Sequence, residues 1–426
     1  MPYQTRHRHA PGAPPSRRPW VLVLAAACAA LLVVGAVAIG GGIGRGGLLA
    51  RGTVVEEGAG AAQSTTAAPT VPGDPSRSTR MEQEERITGD ISPKSVVANS
   101  QGQVIANNMM YKHSSTLYDA ETLRLEATVP DAVELADFGI EGRPGTSEGA
   151  PVEAVWTPDG RYAYVSQYQL TGEGGGAAGS DDCSAGDAIG RSAIFRLDAA
   201  TGRWDQVIEV GRVPKFISLS PDGSTALVSN WCDETVSVID LATAQEVRTI
   251  AVDAAPRGSV ILGDNRTAYV TAMYADEVYR VDLVDGTSEV VLETGDKPRH
   301  LVLSPDGERM YLTVSGADQL LELDPGSGEV LRSMATGREP RSMAISADGT
   351  ALYIVNYYED TVSKVDTETL TEIQREDTGS RPIGVTYEPT RRRVWVANYS
   401  GSIDVFDDNL PVTPSTGPAP GEDESG

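Results

Sequence analysis

The chain has 426 residues and a formal net charge of −25 at pH 7. A surface this acidic repels phosphate backbones, so we expect no nucleic-acid partner. The three cysteines form no C-x-x-C-H motif, so the sequence does not indicate covalent haem, and it indicates no other cofactor and no metal site.

The first 81 residues predict a membrane segment followed by a tether. Residues 1–19 carry four arginines and are expected in the cytoplasm, and the apolar run 20–43 is long enough to span a bilayer. This run is either a single-pass anchor, which we favour, or a signal segment cleaved near residues 36–38. Residues 44–81 are rich in Gly, Ala, Ser, Thr and Pro and predict a flexible linker. Both alternatives place the rest of the chain outside the cytoplasm, membrane-bound or secreted.

A repeat with a 42-residue period organises the remaining sequence. Each unit holds four short runs rich in Val, Ile, Leu and Tyr, separated by turns such as Ser304-Pro305-Asp306-Gly307. Four such strands make one propeller blade. The sequence therefore predicts an all-β fold, a seven-bladed β-propeller over 82–410, with an acidic, Pro-rich, disordered tail at 411–426. The blades open at Pro93, Pro151, Pro214, Pro256, Pro298, Pro340 and Pro382.

The last unit contains only three strands before the tail begins. The segment Glu85–Ile91 precedes Pro93 just as the fourth strand of other units precedes their prolines. We predict that it supplies the outer strand of blade seven, which closes the ring and leaves no exposed strand edge.

Several second strands carry similar tetrapeptides, namely YVTA (269–272), LVSN (227–230), YIVN (353–356) and WVAN (395–398). With the SPDG turns, they resemble the YVTN family of bacterial propeller repeats over about residues 82–410. The resemblance implies an extracytoplasmic seven-bladed propeller. It implies little about activity, since this repeat serves different tasks.

Two insertions are expected on one face of the propeller. One lies near Thr171–Arg191, between the second and third strands of blade two, and the other lies in Asp131–Ala150, between blades one and two. Long loops on a rigid scaffold often carry function, although tolerated surface padding is an equal alternative. Two cysteines lie in adjacent loops on this face: Cys183 in the insertion of blade two and Cys232 in the corresponding loop of blade three. We predict that they form a disulfide in an oxidising compartment.

Basic residues follow the opening proline in five blades and should ring the channel mouth on the inserted face. They form either an anion-binding funnel or a lattice of ion pairs with loop acids. We call them the basic ring: Lys94, Lys215, Arg257, Arg299 and Arg341. The acids of the second alternative are Asp233, Glu234, Asp276, Glu277, Asp318, Glu359 and Asp360.

An aromatic series recurs 17 or 18 residues after the prolines. It suits stacking on a sugar or peptide, or packing between adjacent loops. Its members are Tyr111, Tyr168, Trp231, Tyr274, Tyr357 with Tyr358, and Tyr399.

The sequence favours a binding or scaffold module over an enzyme. We expect a monomer that recognises an envelope protein, a peptide or a polysaccharide on the inserted face. The alternative rests on a resemblance to seven-bladed lactonases, which act through acids, Arg and His near the channel mouth. It implies a hydrolase that uses Glu153, Arg299 and His300.

Overall fold

The computed structural model describes residues 73–411, with the exception of Ala185. The predicted membrane segment at 20–43, most of the predicted linker and the tail after 411 lie outside the described residues. Within the described range, no helix is both long enough and apolar enough to cross a membrane.

Seven four-stranded antiparallel sheets make up the fold, and each is one blade. The strands of blades one to three are Ser95–Ala98, Gln103–Asn108, Ser114–Asp119 and Leu125–Pro130; Pro151–Trp156, Tyr162–Gln167, Ser192–Asp198 and Arg203–Val210; and Pro214–Leu219, Thr225–Asn230, Thr235–Asp240 and Gln245–Ala251. Those of blades four to six are Pro256–Ile261, Thr267–Ala272, Glu277–Asp282 and Thr287–Glu293; Pro298–Leu303, Met310–Val314, Gln319–Leu323 and Val330–Ala335; and Pro340–Ile345, Ala351–Asn356, Thr361–Asp366 and Thr371–Asp377. Blade seven contains Pro382–Glu388, Arg393–Asn398, Ser402–Pro411 and, as its outermost strand, Thr79–Ile87.

The first strands of the seven blades pack side by side in a closed circle, blade seven against blade one included. Second strands such as Ala351–Asn356 are wholly buried, whereas outer strands such as Val330–Ala335 are mostly exposed. Buried apolar residues of neighbouring blades pack against each other between the sheets. The predicted all-β, seven-bladed propeller is confirmed for the described residues.

The ring is closed by the N-terminal strand, as predicted, but the predicted range Glu85–Ile91 was wrong. The strand is Thr79–Ile87, and it pairs antiparallel with Ser402–Pro411 along its whole length. Met81 explains the earlier start, because its fully buried side chain packs with Phe406 between blades six and seven. Residues after Ile87 instead turn towards blade one, with Gly89 at a φ of 131° that disfavours other residues.

The two insertions meet each other in a small sheet. Thr146–Glu148 pairs with Ala132–Glu134 of the first insertion and with Thr171–Gly172 of the second. Three short 3₁₀ helices complete the described chain, at Ser76–Ser78, Leu135–Phe138 and Gly186–Ala188. This pairing means that the insertions form one structural unit beside blade two.

Candidate ligand site at the channel mouth

A repeated backbone motif presents the basic ring. The residue before the opening proline of blades three to seven has a left-handed backbone, with φ between 52° and 62°. Aspartates of the preceding loops accept its N–H in three of these blades, as Asp276 does from Lys297 at 2.9 Å and Asp318 from Glu339 at 2.7 Å. The motif fixes how the chain enters each first strand, and so where the residue after the proline points.

The alternative of an ion-pair lattice does not describe these contacts. Asp276, Asp318 and Asp360 accept backbone N–H groups, while Asp233 binds Arg212 and Glu359 binds Arg375. Among residues 73–411, no ion pair joins the basic ring to any of the seven acids considered above. The acids of the loops therefore shape the backbone and leave the ring cations to other partners.

All five ring residues line one cavity of about 500 Å³ at the mouth of the channel. The two blades that lack a basic residue have Val152 and Ile383 at the equivalent position, and of these two Ile383 lines the cavity. Seven lysines and arginines but only two acids line the cavity, an excess of five positive charges in a chain of net charge −25. The volume suits a small molecule or the end group of a larger ligand.

Three carboxylates partly compensate the ring. Lys215 pairs with Asp181 of the insertion, and Arg341 donates to Glu339 at 2.7 Å. Arg257 lies 3.8 Å from Glu153, which is too far for a hydrogen bond. Arg299 has no carboxylate partner of this kind within the described part of the chain; its Nε donates to the backbone carbonyl of Arg341 at 3.1 Å.

Lys94 is the exception in this network. Its side chain is 92% buried, since its relative exposure is 8%, and its Nζ has no hydrogen-bond partner among the described residues. Burial lowers the pKa of Lys94 well below its usual value, the positive charge of Arg257 lowers it further, and Glu153 opposes the shift. A buried lysine nitrogen without a partner costs stability, and an anion beside it would favour its charged form, so the cavity is a candidate site for an anion.

Burial also lowers the pKa of three neighbouring basic residues. Burial lowers the pKa of Lys215 to about 8, although Asp181 raises it. Burial also lowers the pKa of Arg257, and lowers that of Arg299 well below the usual range with Arg257 and Arg341 adding to the shift. Desolvation and mutual repulsion are both relieved when an anion enters.

The aromatic series divides into two groups. Five members line the cavity: Tyr168, Trp231, Tyr274, Tyr357 and Tyr399. Tyr111 and Tyr358 do not line it and are exposed, Tyr111 to 82%. Trp231 and Tyr357 are buried, and Trp231 packs edge-on against Tyr274 with ring centroids 5.1 Å apart. The ring cations use these faces themselves, since the Arg341 guanidinium lies 3.4 Å from the centroid of Tyr357.

The second insertion is fixed to the cavity wall. The predicted disulfide between Cys183 and Cys232 is present, with Cα atoms 5.5 Å apart. The Trp231 indole N–H donates to the carbonyl of Asp181 at 2.7 Å, and the Tyr168 hydroxyl donates to its carboxylate at 2.9 Å. This role of Asp181 was not predictable from the sequence, because the distance from the insertion to Lys215 depends on how the loop folds.

A second cavity of about 380 Å³ lies below the mouth and is the central channel, since the first strand of every blade lines it. Glu153 and His300 are its two ionisable residues, whereas Arg299 lines the mouth above. The three residues of the hydrolase alternative therefore lie in two adjoining cavities. Burial raises the pKa of Glu153, and the nearby cations Lys94, Arg257 and Arg299 oppose that rise.

His300 is held as a neutral ring. Its Nδ1 accepts the Met343 backbone N–H at 2.9 Å, which leaves the proton on Nε2. Burial, followed by the charges of Arg257 and Arg299, lowers the pKa of His300 to about 3. Its ring packs edge-on against Phe216 with centroids 5.3 Å apart. In the part of the chain that the structure describes, no group of three or more His, Cys, Asp or Glu could hold a metal ion.

Comparisons with known proteins agree with the fold. The family described as "Lactonase, 7-bladed beta-propeller" matches residues 319–415, about the last quarter of the chain. No curated protein matches the sequence. The solved structure of hydrazine synthase from Kuenenia stuttgartiensis is similar, with a TM-score of 0.58 and 20% identity, covering 76% of this chain and 98% of that one. At this identity the likeness shows the propeller fold alone. The resemblance to the YVTN family stays a prediction.

Proposed function

We propose that the protein is an extracytoplasmic binding module that takes the anionic group of its ligand into the channel mouth. The observation that carries this proposal is Lys94, a buried lysine whose Nζ has no hydrogen-bond partner among the described residues, in a cavity where basic residues outnumber acidic ones by five. A carboxylate or phosphate there would gain charge-assisted hydrogen bonds from Lys94, Arg257 and Arg299. It would also relieve the repulsion among these groups.

The site is prepared before the ligand arrives. Arg257 is held by the carbonyl of Lys215 at 3.0 Å, and Arg299 by the carbonyl of Arg341 at 3.1 Å. Each of these bonds uses one donor of a guanidinium that has five, and Arg299 uses a second on the Met273 sulfur, so further donors remain for a ligand. Preorganised cations lose little conformational entropy on binding, which favours affinity.

Calorimetric titration of the whole chain with acetate and with inorganic phosphate at low salt tests this proposal. We expect saturable binding that added salt weakens and that Arg257→Ala with Arg299→Ala reduces at least tenfold. The matched control is Arg309→Ala with Arg338→Ala, two surface arginines outside the cavity. Equal binding by both double variants would overturn the proposal.

A hydrolase is the second candidate, because the lactonase family matches residues 319–415 and Glu153 lines the channel that adjoins the mouth. His300, with a pKa of about 3, is too weak a base for this role near neutral pH. Glu153, whose pKa is raised, is the better base. Lactone turnover that Glu153→Gln abolishes while anion binding remains would support the enzyme, and binding without turnover would support the module.

A further inference from the structure

The mouth and the channel below it have opposite chemistry. The residues of the mouth and the channel fall into three sets at equivalent positions of the seven blades, which we call layers. The uppermost layer is the basic ring with Val152 and Ile383. The second layer lies one residue further along the chain. Ser95, Glu153, Phe216, His300, Ser342 and Gly384 of this layer line the channel, and Gly258 is at the equivalent position of blade four. The third layer is Val97, Val155, Ser218, Val260, Val302, Ala344 and Thr386.

The third layer presents an apolar wall to the channel. Five of its seven members are Val or Ala. The two hydroxyls are already engaged: Ser218 shares a hydrogen bond of 2.8 Å with Ser259, and Thr386 accepts the Ala98 N–H at 3.1 Å. A polar molecule in this part of the channel would therefore find few free partners for its hydroxyl or amide groups, which is costly.

The second layer has no side chain in two of its seven blades. These positions are Gly258 in blade four and Gly384 in blade seven, and blade six has only the small Ser342 there. Close packing explains Gly258, since a Cβ there would lie 2.5 Å from the carbonyl oxygen of Arg299. Phe216 and His300, from the blades on either side of Gly258, contact each other and add an apolar surface, because His300 is neutral.

We propose that the ligand is an amphipathic acid, with its anionic group on Lys94, Arg257 and Arg299 and an apolar chain or ring in the channel. This rests on the proposed function and narrows it to a ligand class. The arrangement of the two cavities supports this proposal. Basic residues outnumber acidic ones by five at the mouth, and the adjoining channel is a cavity of about 380 Å³ lined mainly by Val, Leu, Ile and Met. A ligand with both parts satisfies the cations and removes the apolar wall from water.

Titration of the whole chain with a series of linear carboxylates, from acetate to octanoate, tests the inference. We expect the dissociation constant to fall about fourfold per methylene, the ratio that ~0.8 kcal/mol per buried CH₂ gives, until the chain fills the channel. Equal affinity for acetate and octanoate would overturn the apolar subsite and leave the anion site standing. Failure of every member to bind would overturn both proposals.

Substitutions in the channel wall test where the alkyl chain of the carboxylate binds. Val260→Thr with Val302→Thr keeps the shape of the wall and adds hydroxyls, so we expect octanoate to lose at least tenfold in affinity while acetate is unchanged. Val290→Thr, on an exposed outer strand, is the control and should change neither. Ala344→Ile should narrow the channel, so that affinity stops rising at a shorter carboxylate than in the wild type. Octanoate binding that survives both the double variant and Lys94→Met would show adsorption to the surface and would contradict the inference.

Discussion

The Arg257 guanidinium of blade four lies 3.8 Å from the Glu153 carboxylate of blade two, with blade three between them. The two side chains meet over the channel at the boundary between its basic mouth and its apolar interior. Because the distance exceeds a hydrogen bond, Glu153 moderates the charge of Arg257 without occupying its donors. The donors that Arg257 keeps are available to an anionic ligand.

Anion binding should weaken as pH rises through about 8. Lys215 has a pKa of about 8 because burial disfavours its charged form, and it loses its positive charge above that value. We expect acetate affinity to fall between pH 7 and pH 9 in the wild type. Lys215→Arg keeps its charge across this range and should flatten the profile. A profile of the same shape in both proteins would refute the role of Lys215.

The disulfide should contribute to the stability of the domain. Cys183 and Cys232 are separated by 49 residues, and closing such a loop stabilises by up to about 4 kcal/mol on the chain-entropy model. In a Cys28→Ala background, reductant should lower the melting temperature. Cys183→Ala with Cys232→Ala should remove that response. Two thiols that react in the native, unreduced protein would contradict the bond.

Met81 should be a main determinant of ring closure. Its side chain is fully buried between the closing strand and blade six, so Met81→Ala should cost about 2–5 kcal/mol of unfolding free energy. Glu85→Ala, on the exposed face of the same strand, should change it by less than about 0.5 kcal/mol. Denaturant unfolding measures both. Similar effects of the two substitutions would mean that the strand adds little to the core.

Asp131 should make stability depend on pH. Burial raises its pKa to about 6, opposed by the nearby His113 ring at 3.2 Å. The folded pKa exceeds the unfolded value, so this contribution to stability is present below about pH 4 and is lost as pH rises through 6. The loss is about 3 kcal/mol at most. Asp131→Asn should remove it, which melting curves at pH 4 and pH 7 would detect.

Much of the fold was predictable from the sequence, because the repeat carries it. Six of the seven opening prolines are the first residues of the innermost strands, and Pro93 lies two residues before its strand. The limits of the closing strand were not predictable in this way, since Met81 is selected by packing against blades six and seven and not by the repeat. Thr79–Ile87 thus begins six residues before the predicted Glu85.

The site was predictable as a set of positions but not as a set of contacts. The 42-residue spacing predicted a ring of five cations, and these do line one cavity. The partners depend on loop conformation, so Asp181 and Glu339 were missed as counter-ions to Lys215 and Arg341. The aromatic series was treated as uniform, yet Trp231 is buried and Tyr111 is 82% exposed. Trp231→Ala would therefore destabilise the fold as well as alter the site.

Lys94→Met, measured for both stability and binding, tests the central claim most directly. Met has a similar length and no charge, and Lys112→Met, at an exposed lysine paired with Asp90, is the control. If Lys94 is kept for an anion, its removal should leave the ligand-free protein equally stable or more stable, because a buried polar group that lacks a partner among the described residues is lost. Acetate affinity should fall at least tenfold. Unchanged affinity in Lys94→Met would contradict the account.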